Sequence, residues 1–153
     1  MDYENNVTRS RGDAERTPRE LDVVTGTIVD AALKIHQTLG PGLLESVYEV
    51  VLADALRKRG LRVERQVSVA FEFDGTRFQE GLRVDLLVDD RVVVELKSVE
   101  TLAPVHAKQV LTYIRLLKLQ VGLLINFGGA TLKEGLRRIV NNLPKGSSRL
   151  GRE

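Results

Sequence analysis

The segment Arg91-Val-Val-Val-Glu-Leu-Lys97 constrains this chain more than any other. Successive residues of a strand point to opposite sides, so Val92, Val93, Val94 and Leu96 put apolar side chains on both faces. Such a strand belongs inside a sheet covered on both sides. The flanking sequence offers helices as covers. Leu21, Val24, Ile28, Ala31, Ala32 and Ile35 recur at helical spacing and predict a helix over 19–38, stopped by Gly40-Pro41-Gly42. A second helix is expected over 43–59, closed by Gly60. In 62–73 the pattern changes to alternation, with Val63, Arg65, Val67, Val69 and Phe71 expected on one face of a half-buried strand. Asp74-Gly75 and Asp89-Asp90 read as turns that separate strands at 62–73, 77–88 and 91–97. A helix over 104–118, an apolar strand over 120–126 and a last helix over 131–141 follow. The order α-α-β-β-β-α-β-α predicts an α/β fold with a central mixed four-stranded sheet flanked by helices. Residues 19–142 are expected to form the domain, with a disordered tail at 1–18 and a flexible tail at 143–153.

Into the same apolar strand the sequence places two charges. Glu95 and Lys97 are two apart and share a face. Asp85 lies on the preceding strand. A hairpin centred on Asp89 and Asp90 sets Asp85 opposite Val94, and a shift of one or two residues sets it beside Glu95. Two carboxylates across adjacent strands repel unless a cation lies between them. The chain has no Cys and only two His, so any metal site is built from oxygen, which favours Mg²⁺ or Mn²⁺. The bland alternative is a solvated Lys-Glu pair of the kind common on surfaces. Spacing alone leaves both open.

Two further groups stand out. Glu45 interrupts the apolar run Gly42-Leu-Leu-Glu-Ser-Val-Tyr48 in the first turn of its helix, where the helix dipole favours an anion. Gln109 and Tyr113 are four apart on one helix face. The net charge of +2 does not suit a nucleic-acid coat protein, though it permits local basic patches such as Arg57-Lys58-Arg59. No apolar run approaches the ~20 residues of a membrane span, and 1–20 lacks the apolar core of a secretory signal. A cytoplasmic protein without membrane contact is expected.

These motifs coincide in one known family. Asp85, nine intervening residues and Glu95-Leu96-Lys97 resemble the PD-(D/E)XK nuclease superfamily, with Val84 at the nominal Pro position. Gly42 to Tyr48 is similar to the signature of its GxxExxY branch, and Gln109 to Tyr113 resembles the QxxxY motif of RecB-like nucleases. The resemblance covers about residues 20 to 142 and implies a restriction-endonuclease-like core. It implies metal-dependent hydrolysis of phosphodiester bonds in DNA or RNA, with Mg²⁺ or Mn²⁺ held by Asp85, Glu95, the carbonyl of Leu96 and Glu45. Lys97 would then hold the attacking water or stabilise developing charge. Gln109 and Tyr113 would contact that water or the phosphate, and Tyr48 would support Glu45. Arg57, Lys108 and Arg115 are expected against phosphates. Two other readings stay open. One is a nuclease-fold protein that binds nucleic acid or a protein partner without cutting. The other is a homodimer joined through apolar strands such as 121–127.

Overall fold

The structure, a computed structural model, describes residues 19–142. The expected tails at 1–18 and 143–153 lie outside the described residues. Helix α1 (Leu21–Leu39) buries Val24, Ile28, Ala31, Ala32 and Ile35, the stripe its spacing predicts. Gly40 ends it with φ at 71°, a left-handed conformation that a residue without Cβ adopts freely. Helix α2 (Glu45–Lys58) buries Tyr48, Leu52, Ala53 and Leu56. Then come β1 (Val63–Phe73), β2 (Thr76–Val88) and β3 (Val92–Lys97). Helix α3 (Pro104–Leu117) crosses to β4 (Val121–Asn126), and a 3-10 turn (Lys133–Gly135) leads into β5 (Leu136–Val140). Among the described residues no helix is long and apolar enough to cross a membrane.

One sheet holds the strands in the order β1-β2-β3-β4-β5. All neighbours are antiparallel except β3 and β4, the parallel pair that α3 connects. On one face Val92, Val94 and Leu96 of β3 pack with the buried residues of α1 and α2. On the other, Val93 packs with Val110 and Ile114 of α3. β3 is therefore covered on both sides, as its sequence requires.

Two expectations need correction. Residues 131–141 form a short turn and a fifth strand instead of a helix, so the sheet has five strands, not four. A helix there would carry Gly135 in its interior at a cost of about 1 kcal/mol. It would also leave one edge of β4, buried along its whole length, without hydrogen-bond partners. As a strand, 136–140 supplies them, sending Leu136 to the α1–α2 core and Ile139 to the α3 core. Secondly, β1 does not keep one face inward. Val63 belongs to the α1–α2 core, whereas Val67, Val69 and Phe71 pack on the α3 core. Leu86 and Val84 of β2 change sides in step. The changeover falls at Gln66 and Asp85, and Gln66 has φ at 52°.

Helix α3 settles closely on the sheet because Gly122 of β4 has no side chain. A Cβ there would stand 2.6 Å from Val110 Cγ1 and 3.1 Å from Ile114 Cγ2. Gly122→Val is expected to lower stability by about 1–3 kcal/mol through overpacking. Urea unfolding checks this, and an unchanged midpoint would show that α3 gives way freely.

Candidate functional site

The site begins where β2 and β3 part. Their ladder pairs Val88 with Val92, Leu87 with Val93 and Leu86 with Val94, and stops there. The loop has three residues: Asp89 and Asp90, both with positive φ (51° and 56°), and Arg91, whose N–H donates to the Val88 carbonyl at 3.0 Å. This third loop residue moves the register by one from the simple two-residue hairpin. Asp85 consequently comes level with Glu95, not Val94.

Beyond the last ladder pair, side chains take over from the backbone. The Asp85 N–H donates to Glu95 Oε1 at 3.0 Å, and the Leu96 N–H donates to Asp85 Oδ2 at 2.8 Å. The two carboxylates thus stand together at the fork. Glu95 is only 6% exposed. Burial, reinforced by the negative charge of Asp85, pushes its carboxyl up to about 8, while the Lys97 ammonium opposes the shift. Lys97 follows on the same face of β3 and is half-buried.

Helix α3 faces this fork. Gln109 Nε2 donates to the Tyr113 hydroxyl at 2.7 Å, so the two residues act as one unit. Burial and then the negative charge of Glu95 raise the Tyr113 phenol, with Asp85 adding to the effect and the Gln109 bond opposing it. That electrostatic reach ties Tyr113 to the carboxylate pair. The structure therefore brings together Asp85, Glu95, Lys97, Tyr113 and Gln109. His106 accepts a bond from the Ala103 N–H at 3.2 Å and closes the first turn of α3. Arg57 donates to the Val63 carbonyl at 2.9 Å, joining the end of α2 to β1, while Lys108 and Arg115 lie on the exposed side of α3.

Glu45 makes no hydrogen bond or ion pair with either acid among the described residues. It is exposed and lines a cleft of about 620 Å³ with Gly42, Ser98, Glu100 and Gly128. Among the described residues, no three His, Asp or Glu side chains cluster closely enough to hold an ion. Nor does Tyr48 reach Glu45 through a hydrogen bond. It is fully buried, stacks on Phe127 with centroids 4.4 Å apart, and donates to the Gly40 carbonyl at 2.5 Å. It also accepts from the Leu43 N–H at 3.2 Å, so it staples the Gly40-Pro41-Gly42 loop to α2. Tyr48→Phe leaves that donor and acceptor without their partner and is expected to cost about 1–3 kcal/mol. Thermal unfolding of the two proteins checks this, and equal midpoints would show that water replaces the hydroxyl.

The acid that α2 does send toward the fork is Glu49, which sequence reasoning missed. It is 5% exposed, yet both its oxygens are engaged. Oε2 accepts from Arg65 at 2.9 Å, and Oε1 accepts from Gln66 Nε2 at 2.6 Å. Gln66 Nε2 also donates to Asp85 Oδ1 at 3.3 Å. A signal was available: Glu49 lies within the stripe 48, 52, 53, 56 that α2 buries, where an unpartnered carboxylate is costly.

The donor set fits a hard divalent cation. All donors are oxygen, as Mg²⁺ and Mn²⁺ prefer, and an ion bound largely through water needs only one or two carboxylates. A carboxyl raised to about 8 beside a second acid is also the electrostatic state that a cation relieves.

A family model described as the PD-(D/E)XK nuclease superfamily matches residues 22–139. Among curated proteins, none matches the chain. A solved structure described as "Crystal structure of SSO0001" is similar, with a TM-score of 0.51 at 19% identity. The alignment covers 94% of this chain and 79% of that one. At this identity the likeness speaks for the fold.

Proposed function

We propose that this chain, which belongs to the PD-(D/E)XK nuclease superfamily, is a metal-dependent nuclease that hydrolyses phosphodiester bonds in nucleic acid. One observation carries the reading: Asp85 and Glu95 stand level at the β2–β3 fork, with Lys97 on the same face and Tyr113 within electrostatic reach. PD-(D/E)XK nucleases generally use divalent metal ions, and Mg²⁺ or Mn²⁺ is the cation proposed here. Asp85, Glu95 and the Leu96 carbonyl would hold it. Bound there, the cation supplies positive charge against the phosphate and acidifies a water. Lys97 holds the attacking water or meets the negative charge that develops on the phosphate. The Gln109–Tyr113 pair offers polar groups from the opposite wall that orient water or phosphate. Lys108 and Arg115 on the exposed side of α3 meet the nucleic-acid backbone without reading sequence. The GxxExxY branch, to which residues 42–48 point, and a cytoplasmic setting belong to the same proposal. Glu45 is left out of the ligand set.

The test is a panel of labelled single- and double-stranded DNA and RNA with Mg²⁺ or Mn²⁺, using Glu95→Ala as control. Cleavage by the wild-type chain that Glu95→Ala abolishes is the expected result. Equal cleavage by both proteins would overturn the assignment. Mn²⁺ binding without cleavage anywhere in the panel would favour a nuclease-fold protein that binds nucleic acid or a protein partner without cutting.

A further inference from the structure

We propose that Gln66 is a positioning residue for the cation seat, its side-chain amide held by Glu49 on one side and fixing the Asp85 carboxylate on the other. The inference rests on the metal-dependent reading above and names a device that the superfamily motifs do not include.

The first support is the backbone. In the β1–β2 ladder Arg65 pairs with Leu86 and Val67 with Val84, so Gln66 occupies the slot opposite Asp85. Its φ of 52° is left-handed, a conformation that costs a residue with a Cβ roughly 1–2 kcal/mol. A hairpin that only needed to roll over at this point would be served better by Gly or Asn. A long amide side chain stands there instead, at the one position on β1 that faces Asp85.

The second support is the hydrogen bonding. A carboxamide nitrogen carries two donors and its oxygen none. Both donors are matched to carboxylate oxygens, Glu49 Oε1 at 2.6 Å and Asp85 Oδ1 at 3.3 Å. Two acids on one amide settle its orientation, because the oxygen would be repelled by either. Glu49 in turn is kept in place by Arg65, whose guanidinium balances its charge. Asp85 is then held at both oxygens, Oδ1 by Gln66 and Oδ2 by the Leu96 N–H. Neither bond uses up the lone pairs of those oxygens, so the carboxylate stays able to bind a cation while its rotation is fixed. Groups that orient a metal-binding residue in this way typically contribute 10–100-fold in metal affinity.

The experiment measures Mn²⁺ affinity by titration calorimetry, with thermal unfolding in metal-free buffer as the control for folding. Gln66→Met keeps the length of the side chain and removes its donors. It is expected to bind Mn²⁺ about 10–100-fold more weakly while remaining folded. Glu49→Ala is expected to reproduce the loss, with the double variant little worse than either single one, because both act on the same bond. Glu49→Gln made together with Arg65→Met leaves its single oxygen to Gln66, and is expected to bind Mn²⁺ more tightly than Glu49→Ala made together with Arg65→Met. Wild-type Mn²⁺ affinity in Gln66→Met, or losses that add fully in the double variant, would overturn the proposal. Should Gln66→Met not fold, the two double variants that carry Arg65→Met decide the matter by the same readout, and equal affinity in them overturns it. A wild-type chain that binds Mn²⁺ but cuts nothing refutes the nuclease reading and leaves this comparison readable. A wild-type chain that binds no Mn²⁺ overturns both.

Discussion

Lys97→Ala is expected to cleave nucleic acid in a single turnover about 10²–10³-fold more slowly than the wild-type chain, with Mn²⁺ still bound. Lys97 adds positive charge on the face of β3 that carries Glu95, where it opposes the upward shift of the Glu95 carboxyl. It contributes no oxygen donor, so its loss should not remove a ligand. A cation that acts on the transition state and not on binding shows itself as a fall in turnover with substrate and metal affinity nearly unchanged. Glu95→Ala should behave differently and lose Mn²⁺ affinity together with cleavage. Paired calorimetry and single-turnover kinetics on the same variants separate the two. Wild-type cleavage by Lys97→Ala would rule out the catalytic role. If Lys97 only compensates the two acids, its removal should instead lower stability in metal-free buffer, with recovery on adding Mg²⁺.

In metal-free buffer Glu95→Gln is expected to be more stable than the wild-type chain at pH 8.5. The folded chain holds the Glu95 proton up to about pH 8, against an ordinary glutamate value of 4.5. Below the ordinary value both folded and unfolded chains are protonated, and the group contributes nothing to the pH dependence. Between the two values the unfolded chain releases its proton while the folded chain keeps it. Stability then falls as pH rises, by about 1.4 kcal/mol per unit for this group. Above about pH 8 the loss is complete, on the order of 5 kcal/mol at most. Gln at this position still accepts the Asp85 N–H and carries no charge, so its profile should lack this fall. Urea unfolding from pH 4.5 to 8.5 with a chelator present measures the difference. A wild-type curve flat across that window would show that the carboxyl is ionised throughout. Saturating Mn²⁺ should reverse the order at pH 8.5, since the wild-type chain gains stability from the ion and the variant gains less.

Much of this architecture was legible in the sequence because it rests on local pattern. The α1 stripe, the two-faced β3 and the Glu95-x-Lys97 spacing are each fixed by residues within a few positions of one another. What escaped was set by distant partners. Residues 131–141 place Leu132, Leu136 and Ile139 at a near-helical spacing, and only the open edge of β4 decides for a strand. The register at Asp85 depended on whether Arg91 counts as loop or strand. The alternation of β1 gave no hint that the strand turns over at Gln66, because Val63 and Val67 look alike in a period-two pattern yet belong to different cores. Glu45 drew notice as an acid among apolar neighbours. Glu49, one turn on, carried the same signal inside the buried stripe and finds its partners only in β1.

The fork between β2 and β3 also limits how a chain of this fold can drift once cutting is no longer selected. Asp85 and Glu95 accept main-chain N–H groups that have left the ladder, so each acid is also a piece of the sheet. Asn and Gln at these positions keep the acceptors and discard the charge. Ala or Val discards both and leaves partly buried amides without a partner, at about 1–3 kcal/mol each. Descendants that stop cutting should therefore change first at Lys97, where no backbone amide depends on the side chain, and should keep acid or amide residues at 85 and 95 long after the chemistry is gone.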